Sequence, residues 1–304
     1  MVKIDMMKRT LIVYVILWSF HSVYAASDPL FWKAVKGDET IALLGTVHTG
    51  RKTFYPLPKT IEDALRRSKA LLLEIDLSSV DSEDVNKQIK ETSVLPKGES
   101  LFTLLSSDLY FRLDDRLSQY QLQIVEYEHK EPWYFIFLLL TLESGVDPEG
   151  LKLGVDLYLT KQAKRLKKEV IPLESVESQM HIFSDLSRQD QLELIDVMLE
   201  RPFNRDQNKE DLKNLLEAWE KGDRGTIDSH VEKSKGDSSI EKKFMQRIND
   251  QRNIKMLNAI MDHSKAKKQV FVAVGTMHLL GKEGLIERLK TAGFSVELVG
   301  KGTQ

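Results

Sequence analysis

Apolar residues near the start of this chain fall into short β-prone runs. Residues 30–35 and 40–47 form two such runs around Lys36-Gly37-Asp38-Glu39, and a Gly/Asp break of that length predicts a hairpin. The second run ends at His48. Pro56 and Pro58 then interrupt the chain, Thr60 is placed to cap a helix over 61–68, and 70–77 is a largely apolar run that carries Glu74 and Asp76. Apart from those two acids the run suits a buried strand. Strand, helix and buried strand in that order predict a parallel β-α-β unit.

From about residue 81 to 264 the spacing of apolar positions is mostly helical. One β-prone segment, 169–173, follows an amphipathic helix expected over 156–168. Lys221-Gly222-Asp223 separates two helices, and Lys235-Gly236-Asp237-Ser238-Ser239 is the most loop-like stretch, a boundary or a mobile connection. The strand pattern then returns, with a buried strand over 269–276, a short helix over 284–292 and a last strand over 294–299. The expected fold is α/β. Its central mixed sheet is built from the N- and C-terminal β-α-β-like segments, and the region of about 81–264 forms a large helical middle within a single domain spanning 26–304.

The first 25 residues are set apart from that fold. Lys8 and Arg9 precede an apolar run over 11–20, and Val23-Tyr24-Ala25 stands before Ala26, the basic, apolar, small-residue order of a secretory signal. The apolar run is ten residues long, where a spanning helix needs about 20, so a cleaved leader is expected, with a periplasmic or secreted product. Residues 133–142 are again too short to span, and no stable membrane span is expected after cleavage. The chain has no cysteine, which excludes disulfides, thiolate metal sites and thiol nucleophiles. A net charge of −2 from 44 basic and 46 acidic residues provides no whole-chain field for nucleic acid.

Candidate chemistry enters through a repeated motif. Gly45-Thr46-Val47-His48 and Gly275-Thr276-Met277-His278 both place Gly-Thr-x-His at the exit of a predicted strand. Ligands of open α/β sheets bind beyond the carboxyl ends of parallel strands, so both histidines are expected at one sheet edge, facing one cavity. The two glycines would permit close backbone approach or unusual dihedrals there. Without cysteine, a metal must be held by His, Asp or Glu. His48 and His278 supply two ligands, and Glu74 supplies either the third or the general base that acts on a metal-bound water. Zinc, manganese, cobalt and iron all suit nitrogen and oxygen donors.

Each of these residues also has a plainer reading. Glu74 in an apolar strand needs a partner, and Arg252, on an apolar helical stripe four residues after Ile248 and four before Met256, is available as one. Arg252 could equally snorkel at the stripe's edge or stabilise an oxyanion. Asp76 is expected to be exposed. Asp156 could cap its helix and Glu174 could start the next one, or either could be a ligand or orient a ligating histidine. His129, His181, His230 and His263 lie outside any repeated motif and are read as ordinary residues. No phosphate loop, GxSxG elbow or HExxH helix occurs, which argues against nucleotide hydrolases, α/β-hydrolases and common zinc proteases.

Several ordered motifs together resemble the TraB/PrgY/GumN family, which includes the Tiki proteases. They are 43–48 around the first Gly-Thr-x-His, Leu72-Leu73-Glu74, Gly154-Val155-Asp156, Pro172-Leu173-Glu174 with Gln179, Ala218-Trp219 through Asp223, Arg252-Asn253, and 272–281 around the second. The resemblance implies an exported protein of the GumN-like branch, without the Tiki-type membrane anchor. It further implies metal-dependent proteolysis with His48, His278 and Glu74 in the active site and Arg252 at the family's arginine position. The expected function is therefore an exported peptidase or amidase acting on a peptide or protein. The alternative is a peptide-binding or sequestering protein that uses the same cleft without catalysis, as the pheromone-shutdown branch suggests.

Overall fold

The computed structural model describes residues 28–76, 78, 79 and 82–299; the expected leader, 1–25, lies outside them. Six strands form one sheet: β1 (Phe31–Lys36), β2 (Glu39–Thr46), β3 (Ala70–Leu73), β4 (Glu169–Pro172), β5 (Gln269–Gly275) and β6 (Ser295–Val299). Their order is β4-β3-β5-β2-β1-β6. β4, β3, β5 and β2 run parallel, and β1 pairs antiparallel with both β2 and β6, so the sheet is mixed as expected.

The expected parallel β-α-β unit is corrected in one respect. β2 and β3 are joined through the helix Lys59–Arg67 and run in the same direction, but β5 lies between them and pairs with both. The residues Val270 to Val274 are all buried, which suits a strand covered on both faces and paired on both edges. At the other end, β6 pairs with β1 and does not touch β5 in the ladder.

Side-chain alternation along the strands separates two cores. One face carries Ile41, Leu43, Leu72, Val270, Val272 and Val274 against Met256 and Ile260 of the helix Gln251–Lys267 and Leu285 and Leu289 of the helix Leu285–Thr291. The other carries Ala42, Leu44, Leu71, Leu73, Phe271 and Ala273 against Ile61 and Leu65, against Val155, Leu159 and Ala163 of the helix Val155–Arg165, and against Trp219. A third core contains no strand. It joins Leu113, Phe135, Ile136, Leu139, Ile195 and Phe244 from helices of the middle region, with the apolar helix Pro132–Glu143 at its centre. No helix among the described residues is long and apolar enough to cross a membrane.

Local expectations differ from the structure at several points. The strand expected over 70–77 ends at Leu73, so Glu74 is the first residue beyond it. Asp76 is buried, not exposed, because the chain turns back and its carboxylate accepts the Ser78 N–H at 3.0 Å. Thr60 does not cap: its helix begins at Lys59 behind Pro58, and the Thr60 hydroxyl donates to Asp28 at 3.1 Å. The loop-like stretch 235–239 does connect two helices, with Ser238 capping the second. That second helix runs from Ser239–Met245 through a π-helical turn, Gln246–Asp250, into Gln251–Lys267.

Candidate functional site

The carboxyl ends of β2, β3, β4 and β5 share one edge of the sheet, and the chain leaving each strand delivers a polar side chain there. His48 follows β2, Glu74 follows β3, Glu174 follows β4, and His278 follows β5 in the short helix Thr276–Leu279. A cleft of about 420 Å³ opens at this edge, lined by His48, Glu74, Arg252 and His278, with apolar walls from Leu212, Leu216, Trp219, Ile227, Val231 and Met277. His230, read from the sequence as an ordinary residue, also lines this cleft.

The glycines of the repeated motif are there for space. A Cβ on Gly45 would come within 2.8 Å of the Thr276 hydroxyl oxygen, and one on Gly275 within 3.1 Å of Glu74 Oε1. Gly275 has φ −49°, so close approach and not an unusual dihedral accounts for it. The two motifs touch through β2 and β5, where Thr46 stands opposite Gly275 and the Thr276 hydroxyl donates to the Thr46 carbonyl at 3.0 Å. Trp219 Nε1–H donates to the Gly45 carbonyl at 2.7 Å and locks the wall of the cleft to the first motif.

Each histidine is held through Nδ1. His48 Nδ1–H donates to Asp156 Oδ2 at 3.1 Å, and Asp156 Oδ1 accepts the Thr46 hydroxyl at 2.8 Å. Asp156 lies in the first turn of a helix whose N-cap is Gly154, so it orients His48 and does not cap. The His48 side chain is 66% exposed at the cleft mouth, where solvent screens the pair. The Asp156 hydrogen bond, supported by the charges of Asp156 and Glu74 against the cost of desolvation, raises the imidazole to about 9. His278 is buried, with Nδ1 2.8 Å from Asn253 Oδ1, and burial pushes its imidazole down toward the neutral form.

Glu74 is buried and bonded on both oxygens. Oε1 accepts the Gly275 N–H at 2.6 Å, Oε2 accepts from Arg252 Nη2 at 2.6 Å, and His278 Nε2 stands 3.7 Å from Oε2. Burial opposes its charge, but His278, Arg252, His48 and the Gly275 N–H outweigh that and hold the carboxyl at about 2. Arg252 also binds Glu174, through Nε at 3.0 Å to both oxygens and Nη2 at 2.6 Å to Oε2. Glu174 precedes the cap Ser175 and does not start a helix; Gln179 steadies it at 3.2 Å.

Glu74, Glu174, Arg252 and His278 lie on one network of contacts, His48 and Asp156 form a separate pair tied to Thr46, and His48 shares the cleft with Glu74, Arg252 and His278. Asn253 enters from the sequence only within the Arg252-Asn253 pair, with no role of its own. Two imidazoles, each with an Nε2 that makes no hydrogen bond among the described residues, are donors that suit a divalent ion once His48 has given up its second proton. Among the described residues, however, no three His, Cys, Asp or Glu side chains are grouped as a ready ion site.

The fold and the cleft define an α/β chain that gathers histidines and acids at the carboxyl edge of a mixed sheet. The chain belongs to the TraB/PrgY/gumN family, whose model matches residues 30–298. It is 23% identical to Metalloprotease TIKI1 of Xenopus tropicalis over 88% of this chain and 61% of that protein. It is 25% identical to Metalloprotease TIKI2 of the same organism over 84% of this chain and 57% of that protein. The uncharacterized protein YbaP of Escherichia coli (strain K12) is 23% identical over 94% of this chain and 100% of its own length. The chain thus spans about three fifths of the Tiki relatives it matches. No solved structure matches it.

Proposed function

We propose that this chain is an exported metal-dependent hydrolase, a peptidase or amidase, working in the cleft beyond β2, β3 and β5. The observation that carries this reading is the matched holding of the two histidines. Each is tied through Nδ1, each has no hydrogen bond at Nε2 among the described residues, and both line one cleft. Imidazoles that bind metals are usually held in this way. His48 and His278 would hold a divalent ion of the zinc, manganese, cobalt or iron class, with Glu74 as third ligand or as the acceptor of a water proton. Such an ion supplies Lewis acidity and makes bound water more acidic.

The remaining roles fall to the chain itself. Glu74 is ionised throughout the neutral range and can orient a water. Arg252 uses one Nη1 hydrogen on the Ile248 carbonyl and has a second with which to meet a developing oxyanion. The apolar walls would seat side chains of a peptide or protein substrate. The two Tiki relatives named as metalloproteases support the reaction class, and the leader pattern in 1–25 supports export.

One observation favours a second reading, a peptide-binding protein without catalysis: a carboxylate held at about 2 by His278, Arg252, His48 and the Gly275 N–H is a weak base. Metal content separates the two. After reconstitution with a panel of divalent ions, the intact protein should retain about one ion by mass spectrometry and a folded His48→Ala, His278→Ala variant none. Retention by neither would remove the hydrolase reading and leave peptide binding in the lead.

A further inference from the structure

Asn253 is fully buried, and each end of its amide has a different neighbour. Nδ2 donates to the Glu283 backbone carbonyl at 2.8 Å, and Oδ1 lies 2.8 Å from His278 Nδ1. A carbonyl oxygen can only accept, so the amide cannot be turned round without setting Oδ1 against the Glu283 oxygen. With Oδ1 fixed toward the ring, Nδ1 must carry a proton. The opposite tautomer would oppose two acceptors at 2.8 Å, and its Nε2–H would find Glu74 Oε2 only at 3.7 Å, beyond a hydrogen bond.

We propose that Asn253 is a positioning residue that fixes His278 as the Nδ1–H tautomer and leaves Nε2 as a bare lone pair facing Glu74. The ring then turns an electron pair toward a carboxylate, and the space between them suits a Lewis acid or the N–H or O–H of a bound molecule. Sequence alone hides this arrangement, because Asn253 reads as a polar residue in a helix and its acceptor role depends on the Glu283 carbonyl 30 residues away. The consequence for catalysis rests on the proposed function, whereas the tautomer itself is readable in the metal-free protein.

Long-range proton–nitrogen correlation spectra of the full chain, labelled with nitrogen-15 histidine, stripped of metal and held at neutral pH, test the proposal. A His278→Gln variant assigns the His278 signals by their loss. The expected spectrum has His278 Nδ1 protonated and Nε2 bare; a proton on Nε2, alone or with Nδ1, overturns the proposal. Asn253→Leu should move the proton to Nε2, and Asn253→Asp should return it to Nδ1. A purely structural Asn253 would lower the melting temperature in both variants and leave the proton in place, which also overturns the proposal. If Asn253→Leu does not fold, the wild-type spectrum still decides. A chain that shows Nδ1–H yet takes up no ion keeps this inference and loses the hydrolase reading.

Discussion

Arg252 places one guanidinium between two carboxylates, Glu74 and Glu174, with all three side chains at most 12% exposed. Removing the cation strands two buried charges, so Arg252→Leu should destabilise the chain by about 3–5 kcal/mol, read by denaturant titration. An unchanged midpoint would mean that the carboxylates find other partners. The pair of His48 and Asp156 makes a pH prediction of defined sign. The folded imidazole is raised from 6.5 to about 9, so its contribution is fully present below pH 6.5 and is lost as pH rises through about 9. The metal-free wild type should lose melting temperature across that window, and Asp156→Asn should flatten the loss. Glu74 has the opposite sign: its stabilisation is present above 4.5 and fades as pH falls toward about 2.

At the scale of elements, strands deliver the site and helices hold it. The apolar runs and the Gly/Asp break located β1, β2 and β5 within a residue or two, because a two-residue alternation and a continuous apolar run are both local signals. The end of β3 was not legible. Nothing in 70–77 marks Leu73 as the last strand residue: β5 runs on to Gly275 beside β2, while the chain leaves the β3–β5 ladder after Leu73. Asp156 and Glu174 looked like helix-start residues, and only their contacts with His48 and Arg252 assign them otherwise. Trp219 links the helix Arg205–Glu220 to the first motif, and Trp219→Phe should remove the indole hydrogen bond to the Gly45 carbonyl and leave a smaller ring in a fully buried site. The expected cost is about 1–3 kcal/mol by thermal melting, and a neutral outcome would show that the bond does not hold the cleft wall.

At the scale of the whole molecule, the leader pattern makes a prediction that the described residues do not touch. Expressed from Met1 in a host with a secretory pathway, the chain should be recovered outside the cytoplasm with Ala26 at its amino terminus, by terminal sequencing. Recovery of the full chain in the cytoplasm would remove export from the proposed function. The helical middle supplies a third core without strands, yet Arg205–Glu220 and Arg224–Ser234 from it also wall the cleft. The middle region therefore shapes the site as well as linking β3 to β5 along the chain.

By itself the sequence determined the α/β class, the mixed sheet, the strand exits that carry His48 and His278, and the exclusion of cysteine chemistry. These follow from local periodicity and residue type, which need no knowledge of neighbours. Only the tertiary structure decided that β5 lies between β2 and β3, that Asp156 holds His48 across 108 residues, and that Arg252 joins Glu74 and Glu174 across 178 and 78. Such pairings depend on which buried donors and acceptors are brought within about 3 Å, and that is set by strand order and helix packing, not by any short stretch of chain.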